Sequence, residues 1–403
     1  MFGRRITLFK LFGFAVRIDL SWLIILALVV WSLAGAVFPS QFAGLHWSTY
    51  LLMGLVAALG LFASIVVHEM CHSLVARRYG LPMTGITLFL FGGVAEMGDE
   101  PPSAKAELMM AAAGPAASVV VAGVFLGLSQ IGGLLGWPGT VNAVLRWIGF
   151  INAILVAFNL IPGFPLDGGR ILRAALWHWK GDLRKATHIA SRVGAGFGAL
   201  LIGLGVVNLL FMNPIGGLWW ILIGMFLRGA AKMGYQQVLI RQALQGEPVR
   251  RFMNDDPVTV PASIDLERLV NDYVYEHHFK MFPVMNNGRL AGCVTTRQVK
   301  EVPREQWSER TAGDLAAACS EENTIAPEED AIKAFTRMSR HQASRLMVVE
   351  DGELKGILAL KDLMKFLSLK LDLEGGQGEP PAGLEKTARS IAPPTKEITS
   401  AGE

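Results

Sequence analysis

Two histidines and a glutamate stand within five positions of the chain, in the stretch HEMCH at residues 68–72. Residues four apart lie on one face of a helix, so His68 and His72 can point at one metal ion. Glu69 lies one position along, where its carboxylate can reach a water bound to that metal. The spacing therefore predicts the zinc site of a hydrolase.

The same stretch ends a long apolar run, YLLMGLVAALGLFASIVV at residues 50–67, which is long enough to cross a membrane. One alternative is a helix end whose polar side chains only satisfy one another. Ionisable side chains inside a span are costly, however, and mark a functional site by default. Three of them within five positions favour metal binding.

A catalytic zinc ion needs a third protein ligand and an open position for water. The stretch NLIPGFPLDGGR at residues 159–170 supplies one acidic residue, Asp167, beyond two prolines that end the preceding helix at the membrane edge. Taken alone, Asp167 reads as a helix cap, but beside a zinc site it is the best third ligand. Asn159 in the same stretch has two open roles, an oxyanion donor or carbonyl contact in catalysis and a hydrogen bond between helices.

The chain as a whole reads as a membrane protein with a polar part attached. Its 403 residues are 52% hydrophobic and only 18% charged, against roughly 25% in soluble proteins. The fold class expected is a multi-pass α-helical membrane domain of about six transmembrane helices, with a membrane-associated β-hairpin, plus a cytoplasmic α/β pair of domains. The apolar segments predict spans at residues 20–38, 50–76, 106–127, 141–161, 189–211 and 215–233.

Basic residues alternate with uncharged connections, which predicts the orientation. Lys and Arg precede the first span and follow the second, fourth and sixth, while PSQFAGLHWST and SQIGGLLGWPGT carry neither. Both termini are therefore expected in the cytoplasm of a bacterial or archaeal cell, with the chain in the inner membrane. In this topology the second and the fourth span both end at the cytoplasmic side. His68 and His72 lie near that end of the second span, and Asp167 follows that end of the fourth, so the three residues are expected at a similar depth.

Two stretches near the predicted site have a composition of their own. Residues 81–102, LPMTGITLFLFGGVAEMGDEPP, are rich in Thr, Phe, Ile and Gly, which favours a strand hairpin over a helix. Residues 111–118, AAAGPAAS, are small and let membrane helices approach closely. We interpret the second stretch as packing beside the site and assign it no chemistry.

The polar part contains an internal repeat. Residues 246–302 and 308–370 each run turn, helix, strand, glycine turn, strand and helix, which predicts two copies of a small α/β unit after a membrane domain at residues 1–235. Residues 374–403 are rich in Gly, Pro and charge, which predicts a disordered tail. The net charge of +3 is too small to indicate a nucleic-acid partner, and three distant cysteines give no disulfide framework.

These motifs resemble the site-2 proteases, which are intramembrane zinc metalloproteases, and within them the prokaryotic branch with a C-terminal pair of cystathionine-β-synthase-type (CBS) domains. The matching pieces are FGFAVRIDLSW, HEMCH, FGGVAEM, AAAGP and NLIPGFPLDGG. The resemblance implies that His68, His72 and Asp167 bind one Zn²⁺ and that Glu69 is the general base. It also implies that the hairpin pairs with an unwound substrate as an added strand.

The resemblance also implies an adenine nucleotide such as ATP at the CBS pair, where related domains use Gly-x-x-Ser/Thr-x-x-Asp. Here GCVTTRQ keeps Thr295 but has Gln298 at the acidic position, and GILALKD keeps Asp362 but has Ala359 at the hydroxyl position. One site built on Thr295 or Asp362 is one interpretation. The other is a module for substrate docking or for a homodimer through the CBS domains.

The sequence thus predicts a protease, surrounded by membrane lipid, that hydrolyses a peptide bond within or near a transmembrane segment of a membrane protein. Its alternatives are a non-proteolytic membrane regulator or scaffold and a transporter gated by its CBS domains. A transporter is expected to repeat among its spans, and no such repeat is visible. Neither alternative explains HEMCH together with Asp167.

Overall fold

The computed structural model describes residues 6–81, 83–89, 92–97, 100–341 and 343–373. The chain divides into two compact units, Met1–Tyr235 and Gln236–Glu403. The tail predicted at residues 374–403 lies outside the described residues. Each unit is taken by itself below.

Six of the described helical segments are long and apolar enough to cross a membrane. The first is α1 (Leu20–Ser32), which continues through a π-helical turn, Leu33–Val37, into α2 (Phe38–Gln41). The others are α3 (Trp47–Arg78), α4 (Ala104–Leu134), α5 (Gly139–Asn159), α7 (Leu183–Phe211) and α8 (Pro214–Leu244). The predicted six-span fold is confirmed.

The helices differ from the predicted spans mainly at their ends. α7 begins six residues before the predicted span at 189, and α8 runs eleven residues past the predicted end at 233. The apolar pattern marks only the part that lipid contacts, whereas backbone hydrogen bonds carry a helix onward through polar residues. α5 ends at Asn159, shortly before Pro162, because a proline disfavours helix in the residues before it.

A seventh helix, α6 (Asp167–Lys180), connects α5 to α7 and was not predicted. The sequence analysis treated its basic residues only as a marker of orientation. Asp167 is its first residue, and Gly181 ends it in the left-handed conformation with φ of 67°. The N-cap residue is Leu166 and no side chain caps the helix, so Asp167 does not have the role of a helix cap that was considered for it.

The predicted hairpin is part of a larger sheet. β3 (Met83–Phe89) and β4 (Gly92–Met97) are antiparallel, as expected. An N-terminal hairpin, β1 (Ile6–Leu11) and β2 (Phe14–Ile18), adds to them through a parallel pairing of β2 with β3. The strand order is β1-β2-β3-β4, which leaves β4 at one edge. Ile18 and Leu88 of this sheet pack on Trp22 and Phe62, which anchors the sheet to α1 and α3.

The second unit contains two copies of one small sheet. In the first copy β5 (Val260–Pro261) pairs in parallel with β6 (Met281–Asn286), which is antiparallel to β7 (Arg289–Thr295). In the second, β8 (Thr324–Ile325) pairs in parallel with β9 (Arg345–Glu350), which is antiparallel to β10 (Glu353–Ala359). The helices of this unit are α9 (Leu266–Arg268), α10 (Tyr275–His277), α11 (Thr296–Lys300), α12 (Ala312–Leu315), α13 (Ala331–His341) and α14 (Leu360–Leu373).

Each copy has its own core, and a third cluster joins them. Leu266, Phe282 and Val294 are buried in the first core. Met281, Cys293 and Met347 form the joining cluster, which contains one strand residue from each of three strands. The repeat predicted from the sequence is therefore present as two similar halves of one unit.

Candidate functional site

His68, His72 and Asp167 meet in the interior of the membrane unit. The Nε2 atom of His68 lies 3.0 Å from Oδ2 of Asp167, and that of His72 lies 3.2 Å from the same oxygen. The two Nε2 atoms are 3.1 Å apart. All three side chains are nearly buried, with exposed fractions of 4%, 7% and 9%. One potential ligand atom from each residue thus converges on a single point.

Neighbouring groups orient both imidazole rings. His72 Nδ1 donates a hydrogen bond to the main-chain oxygen of Met110 at 2.6 Å, and His68 Nδ1 is hydrogen-bonded to Oγ of Ser118 at 2.9 Å. A histidine whose Nδ1 is held in this way presents Nε2 to a metal in a fixed direction. Both partners lie on α4, which therefore supports the two histidines of α3.

The donor set fits zinc. Two imidazole nitrogens and one carboxylate oxygen are among the ligands that zinc prefers, and bonds of about 2.0–2.1 Å in a tetrahedron put ligand atoms about 3.3 Å apart. The observed separations of 3.0–3.2 Å are close to that value. Burial raises the pKa of the Asp167 carboxyl, but its contacts with the two imidazoles outweigh burial and hold that pKa below its ordinary value. Asp167 is therefore available as an ionised ligand.

Glycine at position 114 of α4 makes this approach of helices possible. A Cβ atom added to Gly114 would lie 2.2 Å from Nε2 of His72 and 2.6 Å from Nε2 of His68. Those distances are shorter than any non-bonded contact allows, so an alanine here would push against both imidazole rings. The small-residue stretch at 111–118 thus packs closely beside the site, and its Ser118 is also a hydrogen-bond partner of His68.

Glu69 lies beside the three converging side chains and faces the sheet. It lines the same cavity as His68, His72 and Asp167. A Cβ added to Gly93 of the edge strand β4 would lie 2.7 Å from Cγ of Glu69. The edge of the sheet therefore runs directly past the carboxylate that was predicted to act as the base.

The cavity has a volume of about 570 Å³ and is walled mostly by apolar side chains of the span helices. Asn159 at the end of α5 and Arg170 on α6 contribute polar groups to its lining. Within the described part of the chain, no hydrogen bond from the Asn159 side chain to another helix is formed. Its position in the cavity wall is compatible with the catalytic alternative considered for it.

Four residues of α4 support the site: Glu107 and Met110 were not predicted, and Gly114 and Ser118 lie in the stretch 111–118 that was predicted to pack beside the site. Glu107, Met110, Gly114 and Ser118 follow one another at spacings of three, four and four, so they share one face of α4. Glu107 in turn contacts Arg173 of α6. The small-residue stretch indicated packing beside the site, but nothing in the sequence indicated the hydrogen bonds of Met110 and Ser118 with the histidines.

The two nucleotide-site residues predicted in the CBS pair have different surroundings. Asp362 lines a cavity of about 540 Å³ together with four basic side chains, Arg251, Arg345, Lys361 and Lys365. Thr295 is not among the residues that line this cavity. Its hydroxyl donates to Oε1 of Gln298 at 2.6 Å, and the two residues form a capping box at the start of α11.

Comparison with protein families assigns both halves of the chain. The family model described as Peptidase family M50 matches residues 56–134 and 128–201. The CBS domain model matches residues 249–305 and 313–369, one match for each copy of the repeat.

Three known proteins illustrate the similarity. "Putative zinc metalloprotease sll0528" from Synechocystis is 35% identical over 363 residues, which cover 89% of this chain and 94% of the relative. Zinc metalloprotease MJ0392 from Methanocaldococcus jannaschii is 30% identical over 366 residues, covering 90% and 96%. A solved structure, the site-2 protease from the same archaeon, is 31% identical over 57% of this chain and 94% of its own, with a TM-score of 0.40.

The chain therefore belongs to peptidase family M50, the site-2 protease family, and carries two CBS domains. This confirms the resemblance drawn from the motifs and the predicted enzyme class, a zinc metalloprotease.

Proposed function

We propose that this protein is an intramembrane protease that cleaves a peptide bond within or near a transmembrane segment of another membrane protein. The observation that carries the proposal is the convergence of His68, His72 and Asp167, with Glu69 beside them, in a cavity walled by span helices. A site enclosed in this way is reached most directly by a substrate that is itself in the membrane.

His68, His72 and Asp167 would hold the zinc ion, and bound zinc supplies an activated water and polarises the substrate carbonyl. Glu69 accepts the proton of the attacking water and then donates it to the nitrogen of the leaving amine. Asn159 stabilises the negative charge that develops on the carbonyl oxygen. The apolar cavity walls limit the access of bulk water, which strengthens each of these electrostatic contacts.

The edge strand β4 supports the presentation of an extended substrate. A peptide bond inside a helix is shielded, so a local stretch of the substrate must unwind before attack. An exposed strand edge offers main-chain hydrogen bonds to such a stretch, and Gly93 of β4 lies against Glu69. Substrate paired with β4 would therefore pass the proposed base.

We place both termini and the CBS domains in the cytoplasm of a prokaryotic cell, with the spans in the cell membrane. The basis is the distribution of Lys and Arg, which lie at one set of connections and are absent from the others. Labelling of a cysteine introduced by Glu309→Cys tests this in intact cells. A thiol reagent that does not cross membranes should react with this cysteine only after the membrane is opened.

The test of the catalytic assignment is Glu69→Gln, assayed in lipid vesicles with a membrane-spanning model substrate. We expect zinc content to equal that of the wild type, while cleavage falls by about 10²–10⁴-fold, because only the proton carrier is removed. The matched control is Glu309→Gln, the same change at an exposed position of the second unit, which should cleave normally. Retained cleavage by Glu69→Gln would refute the role of Glu69.

For the CBS pair, the cavity at Asp362 supports a second proposal, regulation by an adenine nucleotide. Four basic side chains suit phosphate groups, and the Asp362 carboxylate suits ribose hydroxyls. Titration calorimetry with ATP should give binding that Asp362→Ala weakens about tenfold, and the response of cleavage to ATP should require about tenfold more ATP in that variant. The alternative, a docking or homodimer module, predicts no heat of binding and a concentration-dependent mass.

A further inference from the structure

A buried ion pair joins α4 to α6 next to the proposed zinc ligands. Arg173 Nε donates to Oε1 of Glu107 at 2.6 Å, and Arg173 Nη2 contacts the same oxygen. Glu107 is fully buried and Arg173 is 5% exposed. Arg170 adds a weaker contact, with its Nε 3.9 Å from the same oxygen. Neither Glu107 nor Arg173 has a part in the proposed chemistry.

The two ends of this pair connect to all three proposed ligands. On α4, Glu107 precedes Met110 and Ser118, the hydrogen-bond partners of His72 and His68, on one helix face. On α6, Arg173 lies six residues after Asp167, in the second turn of the helix that Asp167 begins. The pair thus fixes the helix that orients the histidines to the helix that carries the carboxylate.

Arg173 also holds the segment that leads into Asp167. Its guanidinium lies over the ring of Phe164, 5.4 Å from the ring centre. The Phe164 main-chain N–H donates to the oxygen of Ala190 on α7 at 3.1 Å. One side chain therefore contacts α4 and the loop before Asp167, so its position constrains where α6 can begin.

Stability alone is a weak reason for this pair. Moving two charges out of water is costly, and replacing both partners of a buried ion pair by apolar residues is often neutral or stabilising. Two guanidinium nitrogens of Arg173 do, however, converge on the single oxygen Oε1 of Glu107, and these directional contacts constrain the relative position of the two helices more narrowly than apolar packing. The placement points to a role in geometry.

We propose that Glu107 and Arg173 are positioning residues that hold Asp167 in register with His68 and His72. The proposal rests on the zinc site described above and assigns these two residues a function of their own. Groups that hydrogen-bond directly to metal ligands typically change metal affinity or activity by about 10–100-fold when they are removed, and Glu107 and Arg173 act on the site through the helices that carry such groups.

The decisive variant is the double substitution Glu107→Met with Arg173→Met, in the full-length protein in detergent. Methionine fills irregular space, and the net charge is unchanged, so we expect the thermal midpoint of the metal-free protein to stay close to that of the wild type. Zinc affinity, measured by competition with a chelator, should fall about 10–100-fold. The visible spectrum of the cobalt-substituted protein should also change, because it reports ligand geometry directly.

The matched control is Asp182→Asn, between the end of α6 and the start of α7. This change removes the exposed ion pair of Asp182 with Lys185. Asparagine keeps the N-cap that Asp182 gives α7, so zinc affinity and the cobalt spectrum should not change. A folded double variant with wild-type zinc affinity and an unchanged cobalt spectrum would overturn the proposal. If the wild type itself binds no zinc, the zinc site is wrong, which is a separate result.

If the double variant does not accumulate as folded protein, Arg173→Lys carries the test. Lysine keeps the charge but has neither the planar fork nor the same reach toward Phe164. We expect a folded protein with zinc affinity several-fold lower and kcat reduced at unchanged KM. Zinc affinity, cobalt spectrum and kcat all equal to the wild type would contradict the proposal.

Discussion

The proposed metal centre of the membrane unit and the cavity of the CBS unit differ in how their polar groups are held. At the metal centre each imidazole has one nitrogen held by α4 and the other directed at Asp167. In the CBS cavity Asp362 and Arg345 line open space. Burial raises the pKa of the Asp362 carboxyl and lowers that of the Arg345 guanidinium, and the opposite charge of each offsets part of the shift of the other.

The two sites should therefore differ in how well they tolerate substitution of their polar residues. Polar side chains that hydrogen-bond to one another inside a membrane tolerate little substitution. A polar atom that loses its partner there has no water molecule to hydrogen-bond with instead. The CBS cavity is lined by four basic side chains, so the loss of one of them leaves three positive charges in place. Four substitutions test this contrast between the two sites.

Asp167→Ala should have the largest effect. It removes one of three proposed ligands and leaves the two Nε2 atoms 3.1 Å apart without the carboxylate. We expect purified protein to contain almost no zinc and cleavage to fall below detection, at least about 10³-fold. Metal analysis beside the substrate assay checks this, and a variant with one zinc per chain would remove Asp167 from the ligand set.

Asn159→Leu should come next. Leucine has a similar size, so the cavity wall is kept while the amide is lost. If the amide stabilises developing charge, kcat should fall about 10²–10³-fold with zinc content unchanged. Kinetics in vesicles measures this; a normal kcat combined with a lower thermal midpoint would instead favour a structural role for the side chain.

Ser118→Ala should have an intermediate effect. The hydroxyl is the partner of His68 Nδ1 at 2.9 Å, so its loss frees one ring without touching the metal-binding nitrogen. We expect zinc affinity or kcat to fall about tenfold, at the low end for such outer contacts. Chelator competition measures it, with Ser129→Ala farther along α4 as the matched control.

Thr295→Val should have the smallest effect, confined to the CBS unit. It deletes the hydroxyl that caps α11 and bonds Gln298, which should cost about 1 kcal/mol of that unit's stability. Thermal unfolding measures this, while zinc content should not change. A large loss of ATP binding in this variant would instead support Thr295 as a nucleotide contact.

The contrast also explains what the sequence could predict. Residues four apart on one helix must share a face, so HEMCH determines the relation of His68 to His72 without tertiary knowledge. Asp167 is separated from them by 95 positions or more. The predicted topology nevertheless placed all three residues at a similar depth in the membrane, which made Asp167 a reasonable candidate for the third ligand. The contact between Glu107 and Arg173 could not be predicted in this way, because it depends on how α4 and α6 are rotated about their axes when they pack.

Local pattern also failed where pairing is distant. Residues 6–18 read as a basic segment before the first span, since Lys10 and Arg17 suggested only orientation. β1 and β2 form a hairpin across the turn at Phe12 and Gly13, and β2 also pairs with β3 some 70 residues away, a contact that no local preference encodes. The helix α6 was not predicted because its amphipathic pattern is short. Its basic residues were interpreted only as a sign of membrane orientation.

The parallel pairing of β2 with β3 has a practical consequence. The N-terminal strands brace the sheet whose far edge passes Glu69, so events at the beginning of the chain act on the wall of the reaction cavity. Affinity tags, fluorescent fusions and proteolytic trimming at that end would act as perturbations of the enzyme.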